Sequence, residues 1–219
     1  MSGFLNDLNS QAFTVLGQPF RWSDMIGNLL GLGALALGWK RSMLTWPVQL
    51  LSGAVLFGAF AAGHLSGSAG KQLIVVVMSL WGWTQWQRGR GGDGELRIRF
   101  AGWGERIALV AAAGIGTVVL AEVFKAYPWM SWSPWADAYI FVGTLVAMVA
   151  QARGLVEFWF AWLAVDLVGV PLNFSNGYAF SGYVYIVYFV LVIAGMRSWW
   201  LRTRNQQSPA TIVPKGATA

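Results

Sequence analysis

The sequence contains no cysteine, which excludes disulfides, thiolate nucleophiles and cysteine-ligated metals. His64 is its only histidine, too little to build a zinc or haem site, and no cofactor is expected. Charge is scarce as well. Asp, Glu, Lys and Arg make up 11% of the 219 residues, against about 25% in soluble domains. There is no Walker lysine and no soluble stretch large enough for a nucleotide-hydrolysing domain. Nor do acids and bases recur along successive apolar segments as a proton relay would need; Asp166 stands nearly alone. The first 20 residues carry an acid but no basic residue, so no cleavable signal peptide is expected.

What is abundant points one way. Hydrophobic residues reach 56%, with 14 Trp, 27 Gly and a mean hydropathy of +0.52, the composition of an integral membrane protein. Seven segments approach the length that a bilayer core of about 30 Å demands at about 1.5 Å per residue. They run roughly over 24–39, 46–64, 72–87, 107–124, 135–151, 156–174 and 178–199. In lipid their backbone groups must be satisfied internally, so all seven are expected to be helices. Residues 4–16 read as an amphipathic surface helix, and the tail from Thr203 as disordered.

The net charge of +6 orients the chain rather than marking a nucleic-acid surface. Of the 15 basic residues, counting connections alternately puts only Arg21, Lys71 and Lys125 on one side. Lys40, Arg41, Arg88, Arg90, Arg97, Arg99, Arg106, Arg153, Arg197, Arg202, Arg204 and Lys215 fall on the other. By the positive-inside rule the N-terminus faces outward and the C-terminus the cytoplasm.

An internal repeat is visible at an offset of 113 positions. "WSD" (22–24) falls on "WAD" (135–137), Lys40 on Arg153, Trp46 on Trp159, Gly82 on Gly195 and Trp86 on Trp199. Four helices separate equivalent positions, so the two halves would run parallel across the bilayer, one of the known transporter architectures. The expected organisation is an external segment (1–21), a first three-helix repeat (22–88), a cytoplasmic loop (89–106), a linking helix (107–126), a second repeat (127–202) and a cytoplasmic tail (203–219).

The sixth segment, "EFWFAWLAVDLVGVPLN", carries the densest polar chemistry. Trp159, Trp162, Asp166 and Asn173 fall within roughly 60° of one another on a helix, and an ionisable residue near mid-membrane generally faces an interior or a watery cavity. The plain alternative is an interfacial Trp pair and an Asp bonded to a neighbouring helix. In "WGWTQWQR" (81–88), Trp83 and Trp86 read mostly as an interfacial belt, with Gln85 the member to place toward a cavity. Tyr178, Tyr185 and Tyr188 on the seventh segment either reach a ligand or anchor the helix. Asp137 and Asn28 fit capping or interhelical bonding.

Three motifs mislead. "GRGGDG" (89–94) matches a phosphate-cradling fingerprint but follows a membrane helix instead of a parallel strand. "GHLSGSAG" (63–70) sets His64 beside Ser66 and Ser68, yet a working pair needs groups brought together by the fold; no enzyme is expected. The arginines of 88–106 could touch nucleic acid or anionic lipid, but topology already accounts for them.

Together, "WGWTQW", "EFWFAWLAVDLVGVPLN" and the Tyr-rich last segment resemble the PnuC family of bacterial vitamin transporters over roughly residues 22–200. Trp159, Trp162 and Asp166 match the family's W-x-x-W-x-x-x-D/N element. The resemblance implies a homotrimeric inner-membrane facilitator for nicotinamide riboside, with a SWEET-like arrangement of 3+1+3 helices and trapping of the riboside by a separate cytoplasmic kinase. On that reading the substrate is held by Asn173, Trp162, Trp159, Asp166, Gln85, Trp86, Tyr185 and Tyr188. Aromatic faces would attract the pyridinium by about 2 kcal/mol, Gln85 and Asn173 would pair with amide or hydroxyls, and Asp166 would balance the ring or bind ribose. Relatives carrying other vitamins such as thiamine, and SWEET-type sugar facilitators, are the alternatives. Without a relay of acids and bases, passive transport by alternating access is expected.

Overall fold

A computed structural model of the chain describes residues 11–15, 18–62, 66–89, 97–131, 133–175 and 179–207. Among these residues two short strands come first, β1 (Gln11–Val15) and β2 (Gln18–Arg21), paired antiparallel. Seven α-helices follow: α1 (Trp22–Trp39), α2 (Thr45–Ala62), α3 (Ser66–Arg88), α4 (Trp103–Ala126), α5 (Pro134–Ala152), α6 (Phe158–Ser175) and α7 (Ala179–Gln207). They answer the seven apolar segments one for one. Among the described residues, three stretches are long and apolar enough to cross a membrane by themselves, Trp103–Ala126, Pro134–Ala152 and Tyr183–Arg204, and Met25–Trp39 and Phe158–Pro171 are shorter apolar helices.

Three boundaries depart from expectation. Residues 11–15 are strand where an amphipathic helix was expected; Phe13, Thr14, Val15 and Phe20 belong to the aromatic and β-branched types that favour extended backbone. Residues 4–10 lie outside the described residues. Helix α3 begins six residues before the apolar run, because a helix propagates through its backbone whether or not its first turn is greasy. At the other end α7 runs on to Gln207, so the tail does not begin at Thr203. Trp199 and Thr203 are fully buried, and Thr203 Oγ1 donates back to the Trp199 carbonyl at 2.9 Å. Packing extends a helix there that polar composition alone ended; residues 208–219 lie outside the described residues.

Helices α1, α2, α3, α5, α6 and α7 pack in that cyclic order, α7 returning to α1, while α4 packs mainly on α5. The large buried side chains collect at one end of this ring. Trp46 lies against Gly82, where a Cβ would collide with the indole, and Trp159 lies against Gly195 in the same way. Trp46 meets Trp86 edge-on at 5.4 Å, and Trp159 meets Trp199 edge-on at 6.0 Å. Trp86 Nε1 donates to the Gln151 carbonyl at 2.8 Å and Trp199 Nε1 to the Trp39 carbonyl at 3.1 Å. The turns after α1 and α5 both pass through left-handed backbone, at Arg41 (φ 58°) and Gly154 (φ 66°). Each ring pair, and the two left-handed residues, are 113 positions apart.

The linker before α4 is laced to the turn before α6. Arg99 N donates to the Gly154 carbonyl and Val156 N to the Arg99 carbonyl, both at 3.0 Å. Glu157 accepts from Ala101 N at 2.9 Å and from Arg106 Nε and Nη2 at 3.0 and 2.8 Å. Residues 97–101, expected as part of a flexible loop or small hairpin, are a strap fastened to the turn before α6, where one carboxylate satisfies three donors.

Candidate functional site

The centre of the helix ring encloses a cavity of about 210 Å³. All six ring helices contribute to its lining and α4 contributes nothing. From α6 come Trp162, Val165 and Asp166, and from α7 Tyr185 and Tyr188. Helix α5 supplies Thr144 and Gln151, α3 supplies Gln72 and Val75, and α2 supplies Gln49, Ser52 and Leu56. Helix α1 brings Gly27, Asn28, Gly31 and Leu35.

Some of this polarity is already satisfied. Ser52 Oγ donates to the Gly27 carbonyl at 2.8 Å, Thr144 Oγ1 to the Ile140 carbonyl at 2.8 Å, and Tyr188 Oη to the Asn28 carbonyl at 3.3 Å. Gly31 makes the last contact possible, since a Cβ there would strike the Tyr188 hydroxyl. Asp166 differs. It is 3% exposed, and its Oδ2 has no hydrogen-bond partner among the described residues. Trp162 Nε1 also lacks one. An unpaired buried polar group costs several kcal/mol, so an acid left open beside a cavity is suited to a guest, whether ligand or water.

The two sides of the cavity are chemically unlike. Gly31, Gln49, Ser52, Gln72 and Val75 occupy positions 113 before Thr144, Trp162, Val165, Tyr185 and Tyr188, and all ten line it. The earlier side offers two amides where the later side offers an indole and a phenol. Tyr185 and Tyr188 stand with ring centroids 6.2 Å apart. A flat conjugated molecule could therefore lay its face on one wall and turn its hydrogen-bonding edge to the other.

Of the residues expected to hold substrate, Trp162, Asp166, Tyr185 and Tyr188 meet here. Trp159 does not: it is fully buried between Gly195, Phe158 and Trp199. Trp86 is likewise core, wedged on Trp46 with its N–H spent on Gln151. Gln85 lines a different cleft at the arginine-rich end. The side chain of Asn173 lies outside the described residues, as do Tyr178, His64 and the side chains of Ser66 and Ser68. Asp137 is bonded by the Ser131 hydroxyl, the local role expected of it, whereas Asn28 borders the cavity. Gln49, Gln72 and Gln151 were missed. Gln49 and Gln72 could have been found by carrying Trp162 and Tyr185 back by the 113-position offset.

Comparison with known proteins bears on this cavity. The sequence profile of a family described as "Nicotinamide mononucleotide transporter" matches residues 21–201. The riboflavin/roseoflavin transporter RibM of Streptomyces davaonensis is 63% identical over 217 residues, covering 98% of this chain and all of the relative. The nicotinamide riboside transporter PnuC of Escherichia coli is 22% identical, covering 89% of this chain and 91% of the relative. Among solved structures, the crystal structure of the vitamin B3 transporter PnuC superimposes with a TM-score of 0.67 at 20% identity, over 84% of this chain and 83% of that one.

Proposed function

The chain belongs to the nicotinamide mononucleotide transporter family, and from that premise we propose that this membrane transporter carries riboflavin across the bacterial cytoplasmic membrane. The observation that carries the reading is the 63% identity, over almost the whole length, to a transporter named for riboflavin and roseoflavin. The cavity supports it. Isoalloxazine is a neutral, flat ring system that can stack on Trp162 and the Tyr185–Tyr188 pair. Its dione edge and ribityl hydroxyls need donors and acceptors together, which Gln49, Gln72 and Gln151 supply. The nicotinamide riboside expected from sequence becomes the second reading. It is favoured by the relatives at 22% identity and by Asp166, whose Oδ2, without a partner among the described residues, would balance a pyridinium.

Transport is passive in this proposal. The cavity of about 210 Å³ falls below the roughly 300 Å³ at which pockets for drug-sized ligands begin. Loading must widen it, as the rocking of one half against the other would do. The halves are two parallel three-helix repeats, α1–α3 and α5–α7, joined by α4 in a 3+1+3, SWEET-like order. Support comes from the paired tryptophan contacts and cavity positions 113 residues apart. The N-terminus faces outward and the arginine-rich end the cytoplasm. Homotrimeric assembly and trapping by a separate cytoplasmic kinase complete the proposal. The exposed apolar Ile107, Val110, Ile115 and Val119 of α4 would face lipid or neighbouring subunits.

Uptake of labelled riboflavin into liposomes holding the purified protein tests the reading. Saturable uptake blocked by unlabelled riboflavin, and little affected by nicotinamide riboside, is expected. Uptake of labelled nicotinamide riboside with none of riboflavin would sink it in favour of the second reading.

A further inference from the structure

The arginine-rich end carries a second cleft, of about 450 Å³, apart from the central cavity. Gln85 and Arg88 reach it from α3, Arg97 and Arg99 from the linker, Arg153 from just past α5, and Glu105 from the first turn of α4. Four guanidinium groups thus border one carboxylate, and that carboxylate is committed. Both Glu105 oxygens hold Arg99, at 2.6 and 2.7 Å, and Oε2 also accepts from Gly102 N at 3.0 Å. Among the described residues, Arg88, Arg97 and Arg153 form no ion pair.

Topology explains why arginines lie at this end but not why three that form no ion pair among the described residues share one concavity. The strap brings them there. Its two backbone hydrogen bonds between Arg99 and the Gly154–Val156 stretch set Arg97 and Arg99 beside Arg153. Gly154 passes so close beneath the Arg97 carbonyl that a Cβ would clash with it. Like charges held together by backbone repel unless an anion sits between them.

We propose that this cleft binds a phosphate monoester, its oxygens shared among Arg88, Arg97 and Arg153, with the Gln85 amide as a neutral donor. Planar guanidinium forks suit such an oxyanion. A phosphorylated metabolite and a phosphatidic acid headgroup present the same chemistry. Arg88 ends α3 and Arg153 follows α5, so a bound dianion ties the two sides of the ring together at this end and slows substrate passage.

The test uses the full chain in phosphatidylcholine nanodiscs, titrated calorimetrically with glycerol 3-phosphate and with glycerol as the uncharged control. Glycerol 3-phosphate should bind and glycerol should not. Arg88→Gln with Arg153→Gln should weaken binding about tenfold or more, and Arg88→Lys with Arg153→Lys should fall between. Trp162→Ala, in the central cavity, should leave it unchanged. Discs containing phosphatidic acid separate the sources. Weaker glycerol 3-phosphate binding in them marks the lipid headgroup as occupant, and unchanged binding marks a soluble one. Binding undiminished by the Gln variant, binding lost in Trp162→Ala, or equal binding of glycerol overturns the proposal. Slower riboflavin efflux with glycerol 3-phosphate on the arginine-rich side is also expected. That arm rests on the transport reading; the binding arm does not, so the two fail separately.

Discussion

Asp166 is where single-residue chemistry bears most directly on substrate choice. Its buried, unpaired Oδ2 behaves differently toward a neutral flavin and a pyridinium cation. Asp166→Asn keeps the shape and removes the charge. Riboflavin affinity should then change by less than about threefold, whereas affinity for a pyridinium riboside should fall about tenfold or more, as expected for one desolvated charge contact. Tryptophan-fluorescence titration of both ligands reads this directly. Trp162→Ala should weaken either ligand about tenfold through lost stacking, with thermal unfolding in detergent showing a folded protein. Trp159 belongs to stability instead. Gly195→Val forces its indole aside and should cost about 1–3 kcal/mol, as overpacking does, seen as a lowered Tm; Gly82→Val should do the same through Trp46. A helical wheel put Trp159 and Trp162 on one face, and that geometry is sound. What it could not carry is that Gly195 lets α7 close over the first turn of α6 and leaves the next turn open.

At the scale of elements, the strap is the feature with a separable energy. The Glu157 side chain, 14% exposed, satisfies Ala101 N and two Arg106 nitrogens. Glu157→Gln removes the charge and one acceptor, leaving part of that set unmatched at about 1–3 kcal/mol. The expected result is a lower Tm with riboflavin affinity unchanged, because the central cavity lies elsewhere. A large loss of riboflavin binding with normal unfolding would instead couple the strap to the cavity. Helix existence and order were legible here, since seven apolar runs became seven helices. Boundaries were less so. Helix α7 reaches Gln207 because Trp199 and Thr203 find a buried place, with Trp199 packed edge-on against Phe158 and Trp159 of α6. Those contacts come from other helices and leave no mark in local composition.

For the whole molecule, the consequential claims are orientation and energetics. A reporter active only in the cytoplasm should work when fused after the C-terminus and fail when fused before the N-terminus. The opposite pattern would invert the topology drawn from the basic residues. Riboflavin uptake into liposomes should equilibrate without accumulating and should persist when the proton gradient is collapsed. Uptake that stops with the gradient would make Asp166 a coupling site and end the passive account. The recurrence of these residues at 113 positions was readable because tryptophans and glycines are large and small enough that their pairing constrains both partners. Trp46 with Gly82 and Trp159 with Gly195 are one packing solution used twice.

By itself the sequence determined a multi-pass membrane protein, seven helices, an uneven distribution of basic residues and a duplicated pattern. Those properties reside in composition and in periodicities that a single helix records. Only the tertiary structure decided that Trp162 meets the cavity while Trp159 and Trp86 fill the core. It alone set Gln49 and Gln72 opposite the aromatics and gathered Arg88, Arg97 and Arg153 into a second cleft. Each of those outcomes depends on how six helices are rotated against one another. That rotation is fixed by close approaches such as Gly31 to Tyr188 and Gly195 to Trp159, between residues more than thirty positions apart in the chain.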